Sequence, residues 1–187
     1  MKVWALENDL EQDFEELQLL HFDSDYEKYM QKIQEAKSIA DDWGRVEVFS
    51  LEEDGRECDS PKFWGGSCIP VFSEKALDVV NDMITDHTEV LPLKHPTNQY
   101  FIINVIQVID AIDYNHSVLK ELSSGLRVGF KKYAFHPERL LGQHIFKVYL
   151  DSRPHLNVLV SDEFKNRVEA RFLTGFRFEK VWDSDER

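Results

Sequence analysis

The sequence predicts an α+β fold, with a mainly antiparallel sheet, several helices packed on it, and a strand–helix–strand unit used twice. Three observations predict this. Stretches of period-two alternation are interspersed with stretches whose apolar residues recur near every 3.6 positions. QYFIINVIQVIDAID is apolar on both alternate faces apart from Asn104 and Gln107, as expected of a central strand covered on both sides. IPVFSEKALDVV and NVLVSDEFKNRV each run from apolar residues into a serine, an acid and a helical pattern.

Taken in order, KVWALEN alternates Val3 and Ala5 with Trp4 and Leu6 and reads as a first strand. DLEQDFEELQLLHFDSD reads as a charged loop or short helix anchored by Phe14, Leu17 and Leu20. SDYEKYMQKIQEAKSIADDW predicts a helix capped by Ser24 or Asp25, with Tyr26, Tyr29, Met30, Ile33, Ala36, Lys37 and Ala40 near helical spacing and Gly44 as its break. RVEVFSLEEDG is a strand ending at the Asp54-Gly55 turn, and RECDSPKFWGGSCIP is a crossing loop. VFSEKALDVVNDMITD sets Ala76, Leu77, Val80, Met83 and Ile84 on one helical face. Beyond the apolar strand, further strands are expected around 131–135, 144–150 and 155–160. A closing helix then spaces Phe164, Val168 and Phe172 at i, i+4 and i+8, Gly175 stops it, and Phe176, Phe178 and Val181 lead out in extended form.

At 187 residues with 42% hydrophobic content the chain can build one sizeable core. Residues 1–60 are read as an acidic N-terminal part, either a subdomain or a section of one compact unit, and 61–187 as the α+β domain proper. No apolar run approaches the roughly 20 residues that span a bilayer, and acids stand where a signal peptide needs its apolar segment, so a cytoplasmic location is expected. Two cysteines, Cys58 and Cys68, do not make a disulfide framework. The net charge of −13 is concentrated: residues 1–60 hold 18 Asp+Glu against 6 Lys+Arg. Such a field repels nucleic acid and anionic lipid and attracts basic partners, though it is also what a solvated surface looks like.

Ser73 and Ser161 lie where a strand gives way to a helix. A serine there accepts first-turn amide hydrogens, and the acids that follow are favoured by the helix dipole. The flanks lack the G-x-S-x-G elbow of a nucleophile, so capping explains the pattern without catalysis. IPVFSEKALDVV, YFIINVIQVIDAID, HIFKVYL and NVLVSDEFKNRV with LTGFRFEKVW resemble, in order and spacing over roughly residues 61–182, the "immunity eleven" family of bacterial polymorphic-toxin immunity proteins. The resemblance implies a non-enzymatic cytoplasmic protein that binds a cognate toxin domain and blocks it, with no catalytic residues and no cofactor. The first third carries no motif of that family.

Other chemistry is thinly supported. No His-Glu-x-x-His and no zinc-finger cysteine pair occurs, and Phe63-Trp64-Gly65-Gly66-Ser67 lacks the P-loop lysine. His21, Asp23, Asp110 and Asp113 are the residues a metal- or carboxylate-dependent hydrolase would use; a polar loop and turn caps more commonly account for such residues. A general interaction module is the third reading. The leading expectation is an acidic surface complementary to a basic toxin, a nuclease domain being the natural case, with Trp43, Glu52, Glu53, Asp54, Glu57, Asp59 and Trp64 as toxin contacts.

Overall fold

The computed structural model describes residues 1–52, 54–64 and 68–186. Two six-stranded sheets dominate. The first has the order β12(Arg153–Pro154), β11(Ile145–Leu150), β13(Leu159–Ser161), β1(Lys2–Asn8), β14(Phe176–Asp183), with β8(Val108–Ile109) also on β11. The second runs β4(Lys62–Phe63), β2(Glu16–Leu19), β3(Val46–Ser50), β6(Thr88–Lys94), β7(Gln99–Val105), β5(Val71–Ser73), and a separate hairpin joins β9(Val118–Glu121) to β10(Arg127–Lys132). Most pairings are antiparallel, but β2–β4, β3–β6 and β8–β11 are parallel, so the sheets are mixed rather than purely antiparallel.

The repeated unit is a split strand–helix–strand. β5 leads through α3(Glu74–Ile84) to β6, and both strands flank β7 antiparallel to it; β13 leads through α4(Asp162–Ala170) to β14, and both flank β1 in the same way. Ser73 Oγ accepts from the Ala76 amide at 3.1 Å and Ser161 Oγ from Phe164 at 3.2 Å. Ala76, Val80 and Ile84 of α3 share one core with Phe164 and Val168 of α4 and with Ile103, Val105 and Val160 from the sheets. Burying a side chain such as Phe164 stabilises by about 1.5–3 kcal/mol, so this shared core explains why each helix keeps its apolar stripe.

The helix expected over 24–43 is shorter and starts earlier. It comprises α1(Phe22–Asp25), a π turn at Tyr26–Met30 and α2(Gln31–Gln34), preceded by His21 rather than capped by Ser24 or Asp25. It ends because Ala36 adopts φ 55°, with Lys37 N–H donating to Lys32 O and Ala36 N–H to Ile33 O, a Schellman arrangement. Gly44 does not break the helix: it lies under Tyr29, where a Cβ would come 2.6 Å from the hydroxyl. The same closure ends α4. Phe172 takes φ 52°, Leu173 N–H reaches Val168 O, and the Phe172 ring is thrown off the helical face to 85% exposure.

Several strands were hidden from periodicity, among them the short β4, β9 and β12 and the longer β2 and β6. β2 lies in the segment read as loop or short helix. β6 contains Pro92, whose carbonyl accepts Trp43 Nε1 at 3.0 Å; its nitrogen therefore also faces away from β7, and the missing N–H costs no ladder bond there. The expected strands at 131–135 and 155–160 are displaced to Arg127–Lys132 and shortened to Leu159–Ser161. Asn104, the polar exception on the central strand, donates to Lys37 O at 2.9 Å and Glu89 Oε2 at 2.8 Å, tying the segment after α2 to the sheet.

Lys147 is a second polar intrusion, 2% exposed, donating to Ile33 O at 3.0 Å at the end of α2. Burial pulls its ammonium down to about 8. The unfolded chain then holds a proton that the folded chain has released, so this residue adds stability as pH rises through 8 and the gain completes near the unfolded value. Cys58 and Cys68, whose thiols burial pushes up, act in the opposite sense at higher pH. The informative readout is therefore a difference: relative to Lys147→Met, wild type is expected to gain about 1 kcal/mol in urea unfolding between about pH 7 and pH 9. A pH-independent difference would contradict a charged, buried Lys147.

Candidate functional site

A concave surface rich in acids is assembled by the first third of the chain. Residues 12–16 run beside 50–56: Phe14 and Arg56 form a parallel bridge, Glu15 N–H donates to Arg56 O at 3.0 Å, Arg56 N–H to Asp13 O at 2.9 Å, and Leu51 N–H to Glu16 O at 2.8 Å. Gly55 allows this approach, since a Cβ there would lie 2.9 Å from Glu15 Cα. Between the two segments opens a cleft of about 520 Å³ lined by Asp9, Asp13, Glu15, Glu16, Glu52 and Asp54, with Lys62 the one cation among the described lining residues. Leu10 stands exposed among the acids of its wall.

The cleft floor is firm. Glu15, 2% exposed, accepts from Tyr100 Oη and from Ser50 Oγ at 2.6 Å, and Ser50 Oγ also meets His95 Nε2 at 3.1 Å. His95 Nδ1 faces the amides of Thr97 and Asn98, which assigns the ring proton to Nε2 and the Ser50 proton to Glu15. Burial first, then the Glu15 carboxylate, pushes the Tyr100 phenol far up, so it remains a donor. Lys62 pairs with Glu16, which leaves Asp9, Asp13, Glu52 and Asp54 as the acids facing outward.

The expected contact residues are dispersed. Glu52 and Asp54 lie in this cleft, and exposed Glu57 lines a separate one of about 500 Å³ that Tyr100 also lines. Glu53 falls outside the described residues. Asp59 is drawn inward, accepting from Thr174 N–H at 2.9 Å, Ser73 Oγ at 3.0 Å and Lys75 Nζ at 3.0 Å, so its carboxylate serves the framework. Trp43 packs on Tyr29 and Trp64 against Phe22 and Tyr26, both at the margin of the core between the second sheet and α1–α2. Asp9, Leu10 and Asp13 were missed because only the pairing with residue 56 reveals that they share a wall with Glu52 and Asp54.

The other candidates are separated. Asp110 binds Arg139 at 2.9 Å and Asp113 binds His116 at 2.6 Å, whereas His21 and Asp23 lie at the start of α1; no hydrogen bond or ion pair among the described residues joins the two pairs. Near the repeated serine, His144 Nδ1 is 3.1 Å from Ser161 Oγ and 3.4 Å from Glu163 Oε2. A catalytic relay needs the serine and the acid on opposite ring nitrogens. Here one nitrogen faces both, and Ser161 is already occupied as the α4 cap.

Among the described residues no helix is long and apolar enough to cross a membrane. No curated protein matches the chain. The family model described as Immunity protein family (Imm11) matches residues 56–183, about two thirds of the sequence and nearly the whole of both split units beyond β1. The capped helices, the apolar central strand and the aromatic exit strand that carry the resemblance all fall inside that span, and the chain belongs to this immunity protein family.

Proposed function

We propose that the protein is a non-enzymatic immunity protein that binds a cognate bacterial toxin domain and neutralises it, and that the acidic cleft meets a basic surface of that toxin. The observation that supports the reading is the convergence of Asp9, Asp13, Glu52 and Asp54 on one cleft with exposed Leu10 in its wall. Clustered acids steer a basic partner and exclude anionic ones, and apolar residues among them supply area to bury. A nuclease domain, basic because its substrate is anionic, fits such a surface. The cytoplasm is where such a toxin would have to be met.

The test is co-expression with the toxin encoded beside this gene. Complex formation and growth rescue are expected. The triple reversal Asp13→Lys, Glu52→Lys and Asp54→Lys should weaken binding by about 2 kcal/mol at low salt and by clearly less at high salt. Failure of wild type to bind or to rescue growth sinks the function. Unchanged affinity and salt dependence in the triple variant sinks the acidic interface alone.

A further inference from the structure

The outer strands of the two six-stranded sheets are unequal. β8, on the free side of β11, has two residues; β4 has two and β5 has three. Short strands and proline are how proteins blunt sheet edges against pairing with other chains. β14 has eight residues and, among the described strands, pairs with β1 alone. In the separate hairpin, the β9–β10 ladder carries two register shifts.

The groups β14 offers follow from its register. Leu6 N–H donates to Val158 O at 2.9 Å, so Leu6 directs its peptide groups toward β13. Ala5 and Glu7, oriented the other way, bond to their β14 partners Glu179 and Arg177, and Asp9 N–H continues the ladder to Gly175 O at 3.0 Å. The alternate residues Phe176, Phe178 and Lys180 therefore direct N–H and C=O out of the sheet. None of these groups has a hydrogen-bond partner among the described residues. Their Phe176 and Phe178 rings pack on the α3–α4 core, which leaves Arg177 and Glu179 on the opposite face beside Glu7.

We propose that β14 pairs antiparallel with β14 of a second copy, across a two-fold axis at Phe178. In this register Phe178 faces its own copy and Phe176 faces Lys180 twice, so all three outward residues of each strand exchange bonds. Arg177 then stands opposite Glu179 on both sides of the axis, at the close, non-hydrogen-bonded positions. Sliding one strand by two residues in either direction loses outward pairs and sets Arg177 against Arg177 or Glu179 against Glu179. Ladder and charge thus select one register, and the two-fold operator closes the assembly as a dimer. The bulge at Val181 ends the regular part of the strand just beyond Lys180. The inference is independent of the toxin reading.

Sedimentation equilibrium of the full chain, 22.0 kDa as a monomer, is expected to show a concentration-dependent dimer. Glu179→Arg places like charges opposite each other twice and should weaken self-association roughly tenfold. The swap Arg177→Glu with Glu179→Arg restores the opposition, keeps a cation beside Glu7, and should restore the affinity. Lys180→Pro, at a position whose N–H points out of the sheet, should weaken the dimer while leaving the circular dichroism spectrum unchanged. A chain that stays monomeric to its solubility limit overturns the proposal, as does a dimer indifferent to both Glu179→Arg and Lys180→Pro. A monomer in which these variants weaken toxin binding instead overturns it too, by giving the edge to another occupant.

Discussion

Gly175→Ala is expected to destabilise the protein by about 3–5 kcal/mol, combining a left-handed backbone penalty with overpacking against a fixed neighbour. The backbone at Gly175 has φ +82°, and an added Cβ would come 2.5 Å from Ser60 O and 2.7 Å from Cys58 Sγ. Ser60 cannot easily retreat, because its amide and that of Asp59 both donate to Thr174 O at 3.1 Å. For a chain of this length the thermal midpoint should fall by roughly 10 °C. Gly142 supplies the control: φ is +74° but nothing lies within 4 Å of its Cβ position. Gly142→Ala should therefore show only the backbone part, about 1–2 kcal/mol. Equal losses at the two sites would mean that the contact with the 58–60 loop contributes nothing.

Asp59→Ala is expected to cost about 3 kcal/mol, the range for removing one partner from a buried charged network. Burial alone would raise this carboxyl, but hydrogen bonds from the Thr174 amide, Lys75 and Ser73 outweigh it and hold the group below its usual range. A depressed carboxyl contributes stability that is fully present above its unfolded value and is lost as pH falls through the folded one. Wild type should therefore lose its advantage over Asp59→Ala in acid, below about pH 4. Denaturant unfolding of both proteins at neutral and acidic pH checks this; a gap that persists unchanged in acid would assign the loss to packing rather than to the carboxylate.

What the sequence made legible is what local rules determine. Ser73 and Ser161 with their following acids announced two capped helices, and the two-sided apolarity of residues 99–105 announced a covered strand. Ala36 and Phe172 misled because a left-handed residue that is not glycine leaves no compositional mark, so one helix read as too long and Phe172 read as core. β6 escaped because Pro92 is a breaker unless its nitrogen faces away from the neighbouring strand, which the register with β7 decides. The acidic surface was visible as a charge imbalance, but its shape was not. Asp59 and Glu52 look alike in sequence; one is enclosed by Thr174, more than a hundred positions away, and the other faces solvent.

The position of β1 between β13 and β14 sets the order in which the molecule can be finished. β1 is separated in sequence from both of its neighbours by most of the described strands, and it has no partner on either side until β13 and β14 are made. Pairings this distant in sequence are slow to close and leave intermediates open to aggregation. The first sheet is thus completed only when segments far apart in the chain meet.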